Sequence, residues 1–317
     1  MQLDESIIKY NQIFLPGLLE AMLDVVQNNR RFAYYTGAET AMKVIRNGEL
    51  WFRNAMVMND FSEIAYGLNL IRKVFSGPQG DRFRKAVNDI FPEVMEKVDA
   101  SFTEWNADWE LETYIACVSL HDDSEDQSGR LSMWRAYGDT ALIVNNTPMT
   151  AVTDLLGVFS VPVSYLDEAG LDAKLSGIVD EILKNRTYLM ELGPDVLVGY
   201  MHHMLFNIAI ATKHPGFAEE KEWRLFFRPN ERQSPGMRCE TVVVGGVPQN
   251  IWALSLVDDP DNGLHGAAIP SLLDRLIVGP TEHPYVCGQA FRRILSDVGV
   301  ADVGKKVFVS DIPLRTG

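Results

Sequence analysis

Short apolar runs recur along this chain, separated by helical patterns that never settle into a regular strand–helix alternation. YIACVSLH (114–121) is the clearest of them, a β-branched and aromatic run that stops at an acidic loop. FAYYTG ends at Gly37, and ELWFRN, TALIVNN, VFSVPVSY (158–165), EWRLFFRP, TVVVGG (241–246), RLIVGP (275–280) and KKVFVSDIPLR share its character. Pro162 marks an edge or a bulge, because proline cannot donate to a ladder. Irregular mixing of this kind, without regular alternation, argues for one α+β domain.

The helical segments show the longer period. Residues 5–30 carry Ile7, Ile8, Phe14, Leu18, Leu19 and Met22 at helical spacing. ETAMKVIRNG directs Ala41, Val44 and Ile45 to one side and stops at Gly48. Residues 81–109 and 169–212 are helical, the second broken near Gly193-Pro194. Val196 to Thr212 is mostly apolar but carries His202, His203 and Asn207, and it falls short of the roughly 20 residues a membrane span needs. It reads as a buried core helix. The expected organisation is one α+β domain, with residues 1–30 as an N-terminal helical segment and 31–317 as the core, elaborated by the helices of 81–109 and 169–212.

Lys and Arg total 29 and Asp and Glu total 43, so the net charge is −14. An acidic chain gains nothing from counterion release on DNA or RNA, so nucleic acid is not the expected partner. Cys117, Cys239 and Cys287 are too few and too scattered for a disulfide framework or a zinc site. The first residues, MQLDESIIKYNQ, lack the basic and apolar regions of a secretory signal, and a cytoplasmic location is expected. Phosphate-loop, dinucleotide and nucleophile-elbow motifs are absent from the sequence.

The densest chemistry lies in Glu220-Lys221-Glu222-Trp223-Arg224. On an alternating strand, Glu220, Glu222 and Arg224 share one face. Two carboxylates and a guanidinium then form either a chemical site or a structural ion pair. Asp122, Asp123, Glu125 and Asp126 read as a solvated acidic loop, since their spacing does not match a calcium loop and no metal is expected. Asp60 with Glu63 resembles a helix capping box, with Asn59 beside it as a lesser site candidate. Trp134 and Tyr137 are three apart on a helical turn and share a face, either as an aromatic wall or as packing. Arg135 points elsewhere and is a candidate phosphate contact. His202 and His203 are adjacent and diverge by about 100° on a helix, so they are no metal pair.

Five ordered segments carry a family resemblance. They are Tyr34-Tyr35-Thr36 with the helix to Arg46 and Gly48-Glu49-Leu50-Trp51; Met58-Asn59-Asp60 with Glu63; Cys117-Val118-Ser119 with Met133-Trp134-Arg135-Ala136-Tyr137; Lys213 through Arg224; and Leu276 to Pro280 with Ser310-Asp311-Ile312-Pro313. Together they resemble the bacterial family catalogued as domain of unknown function 2971. More distantly, an aromatic-Tyr-x-Thr strand, a helix and then Gly-x-Leu is similar to the opening of ADP-ribosyltransferase-like folds. That resemblance implies a split mixed or antiparallel sheet, with Tyr34 and Thr36 on the first strand, Ser119 on a middle strand and a catalytic Glu222 on a late strand. It implies NAD as substrate, Glu220 as the acceptor-orienting carboxylate, and nucleotide contacts from Tyr34, Thr36, Ser119, Trp134, Tyr137 and Arg224. The implied activity is that of a transferase or NAD glycohydrolase with an unknown acceptor, in a toxin or phage-defence role. Tyr34 stands where the pattern has His. That departure favours the alternative, a non-catalytic nucleotide- or protein-binding module of the same fold. A third possibility is a metal-dependent hydrolase built on the acidic loop.

Overall fold

A computed structural model describes residues 5–58, 63–150 and 156–313. Asn59 and Asp60, and with them the capping-box expectation, lie outside the described residues. The fold is α+β with a mixed sheet, as expected. Its chain divides into two compact units, one of Met1–Met22, Asn54–Thr113 and Val161–Ala218, the other of Leu23–Arg53, Tyr114–Ser160 and Glu219–Gly317.

The first unit is mainly helical and gathers the expected elaborations. Residues 81–109 belong to two helices, Pro78–Asn88 and Val94–Leu111. Residues 169–212 form Glu168–Lys184, Arg186–Leu192 and Pro194–Ala211, with the break at Gly193. The apolar run in the last of these is buried, with Leu197, Met201, Met204, Leu205 and Phe206 in the core. Among the described residues no helix is long and apolar enough to cross a membrane. Helix Glu63–Phe75 approaches closely here, since a Cβ on Gly67 would overlap the Ala209 backbone. His202 accepts a 3.1 Å hydrogen bond from the Trp109 indole within an aromatic cluster, which is a core role.

The strands in chain order are β1 Arg31–Thr36, β2 Glu49–Asn54, β3 Tyr114–His121, β4 Thr140–Val144, β5 Phe159–Pro162, β6 Ser164–Tyr165, β7 Thr212–Lys213, β8 Glu222–Phe227, β9 Met237–Val244, β10 Val247–Ser255, β11 Leu273–Val278 and β12 Val307–Val309. β6 and β7 form a separate parallel pair. The main sheet runs β12-β11-β4-β1-β3-β2-β10-β9, with β8 paired to β3 and β5. All of its registered pairs are antiparallel except β11 with β12. β10 has no counterpart among the strands expected from sequence. Its partial alternation in PQNIWALS was legible, and Gly245-Gly246 is the turn that joins it to β9.

β1 forms because FAYYT is aromatic and buried on both faces. Gly37 then releases the chain into helix Ala38–Asn47, which buries Ala41, Val44 and Ile45 as its periodicity predicts. Gly48 ends that helix in the left-handed region, φ 61°, and its N–H caps the Val44 carbonyl. The helix packs on one face of the sheet with Leu142, Leu276, Val278, Phe291 and Leu295. On the other face Ala33, Tyr35, Ala141, Ile143 and Ile277 pack with Met133 and Trp134 of helix Leu131–Tyr137.

Candidate functional site

The register of three strands places the candidate residues. β1 pairs with β3 only from Arg31 to Ala33, with Ala33 opposite Ser119. β3 in turn sets Ser119 opposite Glu222 and Cys117 opposite Arg224 on β8. Directly paired residues share a sheet face, so Ala33, Ser119 and Glu222 form one cross-strand row. Beyond Ala33, β1 continues along β4 alone, while β3 takes β2 and β8 as neighbours. The sheet divides at Tyr34.

Tyr34 and Thr36 do not join that row. Tyr34 packs against the core that holds Ala41 and Leu142, while Cys117, two residues before Ser119 on β3, and Arg53 act on its phenol where the sheet divides. The register thus takes Ala33, and not Tyr34 or Thr36, into the Ser119–Glu222 row. Burial raises the Tyr34 phenol above its ordinary range, against a lowering hydrogen bond with Thr36; Cys117 and Arg53 also act on it. Tyr35 is core, as expected. Its ring meets Trp134 edge-on at 4.8 Å, and its hydroxyl accepts from the Arg130 amide at 2.9 Å.

Glu220, Glu222 and Arg224 are all buried, at 6%, 6% and 0% exposure. They do not, however, form one alternating strand. Glu220 ends a 3-10 turn, Pro215–Glu220, and Lys221 adopts a left-handed backbone, φ 46°, before β8 begins at Glu222. A non-glycine residue there is uncommon and costs about 1–2 kcal/mol. The kink takes Glu220 out of the alternation of β8. Glu222 Oε1 accepts from Arg224 Nε at 2.7 Å, while Glu220 Oε1 accepts from the Tyr137 hydroxyl at 3.1 Å. Ser119 is 1% exposed, and its hydroxyl lies 3.8 Å from the Met133 sulfur beneath helix Leu131–Tyr137.

The arginine most responsible for this arrangement was not singled out in the sequence. Arg130 donates at 2.8 Å to both Glu125 oxygens, at 2.7 Å to the Glu220 carbonyl and at 2.8 Å to the Leu120 carbonyl. The Lys221 carbonyl accepts from the Leu120 amide at 2.9 Å. Together these bonds hold the β8 entry against the end of β3. No local pattern marked Arg130, because its partners lie up to 90 residues away.

The acidic loop is not simply solvated. Arg31 reaches Asp123 at 2.5 Å, Asp126 at 2.8 Å and Asp274 at 2.6 Å; Arg275 meets Asp126 at 2.9 Å; Lys221 pairs with Asp122. The side chain of His121 is fully buried, with Nε2 3.0 Å from Asp126. Burial lowers its pKa from the ordinary 6.5, against the raising pull of Asp126 and Glu125. Every loop carboxylate thus has a cation beside it, brought from elsewhere in the sequence, while Asp123 stays 93% exposed as a solvated loop would have it. Among the described residues no cluster of His, Cys, Asp and Glu is arranged to hold a metal ion.

Trp134 is packing rather than a free wall. Its indole donates to the Ser128 carbonyl at 2.8 Å, and Gly129 and Gly279 lie so close that a Cβ on either would collide with the ring. One edge of it borders a cleft of about 420 Å³ at the end of β1, lined also by Gly37, Ala38, Glu39, Gly138, Asp139 and Pro280. Asp139 accepts from the Ala38 amide at 3.0 Å and so occupies the helix N-terminus with a carboxylate. Arg135 is exposed. No family model, curated protein or solved structure matches this chain.

Proposed function

We propose that this chain is a nucleotide-binding module of ADP-ribosyltransferase-like build, taking NAD or a related nucleotide, in which Glu222 acts as a structural carboxylate. The observation that carries this reading is the placement of Glu222. It is buried, held by Arg224 at 2.7 Å, and set in a cross-strand row with Ser119 that Tyr34 and Thr36 do not join. ADP-ribosyl transfer needs a carboxylate and the ribose contacts around one space, because the cationic transition state is stabilised only by groups aimed at it. The cleft at the end of β1 supports binding. It offers the Glu39 and Asp139 carboxylates to ribose hydroxyls.

Calorimetry with NAD and with ADP-ribose, beside chromatography for released nicotinamide, tests this. Binding without release is expected. A second reading, an NAD-using transferase or glycohydrolase, is favoured by the Ser119–Glu222 pairing and by the Tyr137–Glu220 hydrogen bond. In that reading Glu222 supports the cationic ribose and Glu220 orients the acceptor. Nicotinamide release that disappears in Glu222→Gln would decide for it. Failure to bind any nucleotide overturns both readings.

A further inference from the structure

β9 is an edge strand, and its outer side carries the conditions for pairing with a second copy of itself. Val244 stands opposite Val247 across Gly245-Gly246, whose φ values of 59° and 81° make a two-residue hairpin turn. The residues flanking such a turn bond to each other, so the main-chain groups of Val244, Val242, Glu240 and Arg238 face β10. Those of Cys239, Thr241 and Val243 face outward. The neighbouring bonds agree with this alternation: the Ser255 amide bonds to the Gly236 carbonyl, while the Met237 amide turns out of the ladder to Ser234. Among the described residues no strand lies beyond β9. Arg238 and Glu240 are the charges on this edge; no proline interrupts Met237–Val244, Cys239 is exposed, and Val243 is 68% exposed.

Charge selects the register. Two-fold antiparallel pairing must set outward residues opposite outward residues, which allows the symmetry axis at Cys239, Glu240 or Thr241. An axis at Glu240 opposes that carboxylate to its own copy. At Thr241, Glu240 faces Val242 and Arg238 faces Val244, so neither charge meets its opposite. Only at Cys239 does Arg238 of each copy stand opposite Glu240 of the other, a favourable cross-strand pair made twice. Arg238 pairs with Glu240 and, at 2.9 Å, with Glu49 in its own chain, so the Arg238 and Glu240 side chains lie on the same face, and a second copy extends that charge network with its own Glu240.

We propose that two copies of this chain associate through β9, antiparallel, with Cys239 opposite Cys239. Sedimentation velocity between about 1 µM and 1 mM should show a dimer that grows with concentration. Diamide, an azo oxidant that takes up the two protons and two electrons released by a pair of thiols, should then give a Cys239-linked dimer. That product should be absent in Cys239→Ser. Thr241→Pro removes an outward N–H without removing a β10 ladder bond, and should shift the dimer constant at least tenfold toward monomer. Glu240→Arg should do the same, because it sets arginine against arginine. A monomer throughout this range overturns the proposal. So does a dimer indifferent to both substitutions, or a diamide-linked dimer that persists in Cys239→Ser.

Discussion

Ser119 on β3 stands directly opposite Glu222 on β8, and the Glu222 carboxylate accepts from Arg224 in the same buried layer. Removing one partner of a buried pair costs about 3–5 kcal/mol, because the remaining charge stays desolvated. Glu222→Ala should therefore lower the urea-unfolding free energy by about that amount. The double substitution Glu222→Leu with Arg224→Met should recover most of the loss. An additive double variant would show that the pair does not act as a unit.

Lys221 should be replaceable with gain. Its left-handed backbone suits glycine, and its ion pair with Asp122 lies near the surface. Lys221→Gly should raise stability by about 0.5–1 kcal/mol, the strain relief exceeding a surface pair. Lys221→Ile should lower it by more than about 1 kcal/mol, since a β-branched residue fits that region worst. Guanidinium denaturation of the three proteins measures the order.

The glycines around Trp134 are required by space. Gly129 has φ 67°, and a Cβ there would overlap the indole, while a Cβ on Gly279 would sit 2.8 Å from the ring. Gly279→Ala should cost about 1–3 kcal/mol by overpacking, and Gly129→Ala more, because backbone strain adds to it. Near-ultraviolet circular dichroism should report the displaced indole in both.

Acid should loosen the clasp around the loop in two steps. The folded-state pKa of His121 lies below its unfolded value of 6.5, chiefly through burial. The unfolded chain therefore takes up the proton first, so stability is full above pH 6.5 and falls as pH drops from there toward the folded pKa. The Asp122 carboxyl is held below its ordinary 3.8, most strongly by its hydrogen bond from Lys221. Asp274 is also lowered, where hydrogen bonds from Arg275 and Arg31 outweigh the opposing effect of burial. Their contributions are present above 3.8 and are lost as pH falls below it through the folded values. Unfolding midpoints against pH should show both limbs, and His121→Asn should flatten the upper one.

Local pattern and distant contact divide the account of this protein between them. Helix Ala38–Asn47, its buried Ala41, Val44 and Ile45, and its stop at Gly48 were legible because periodicity and a left-handed cap are properties of neighbouring residues. β3 and β4 were legible for the same reason, as were the buried helix ending at Ala211 and the turn at Gly245-Gly246. The partners of Glu220 and Glu222 were not. Alternation assumes an unbroken strand, and Lys221 breaks it.

By itself, the sequence determined the kind of fold, the type of most elements and the residues rich enough in chemistry to matter. Tertiary structure alone decided which of those residues meet. Sheet face depends on register, and register comes from pairing across long loops, so one step from Ala33 to Tyr34 takes Tyr34 out of the Ser119–Glu222 row. Charge followed the same rule, since Arg31 finds Asp274 across 243 residues of chain, a pairing that no local pattern encodes.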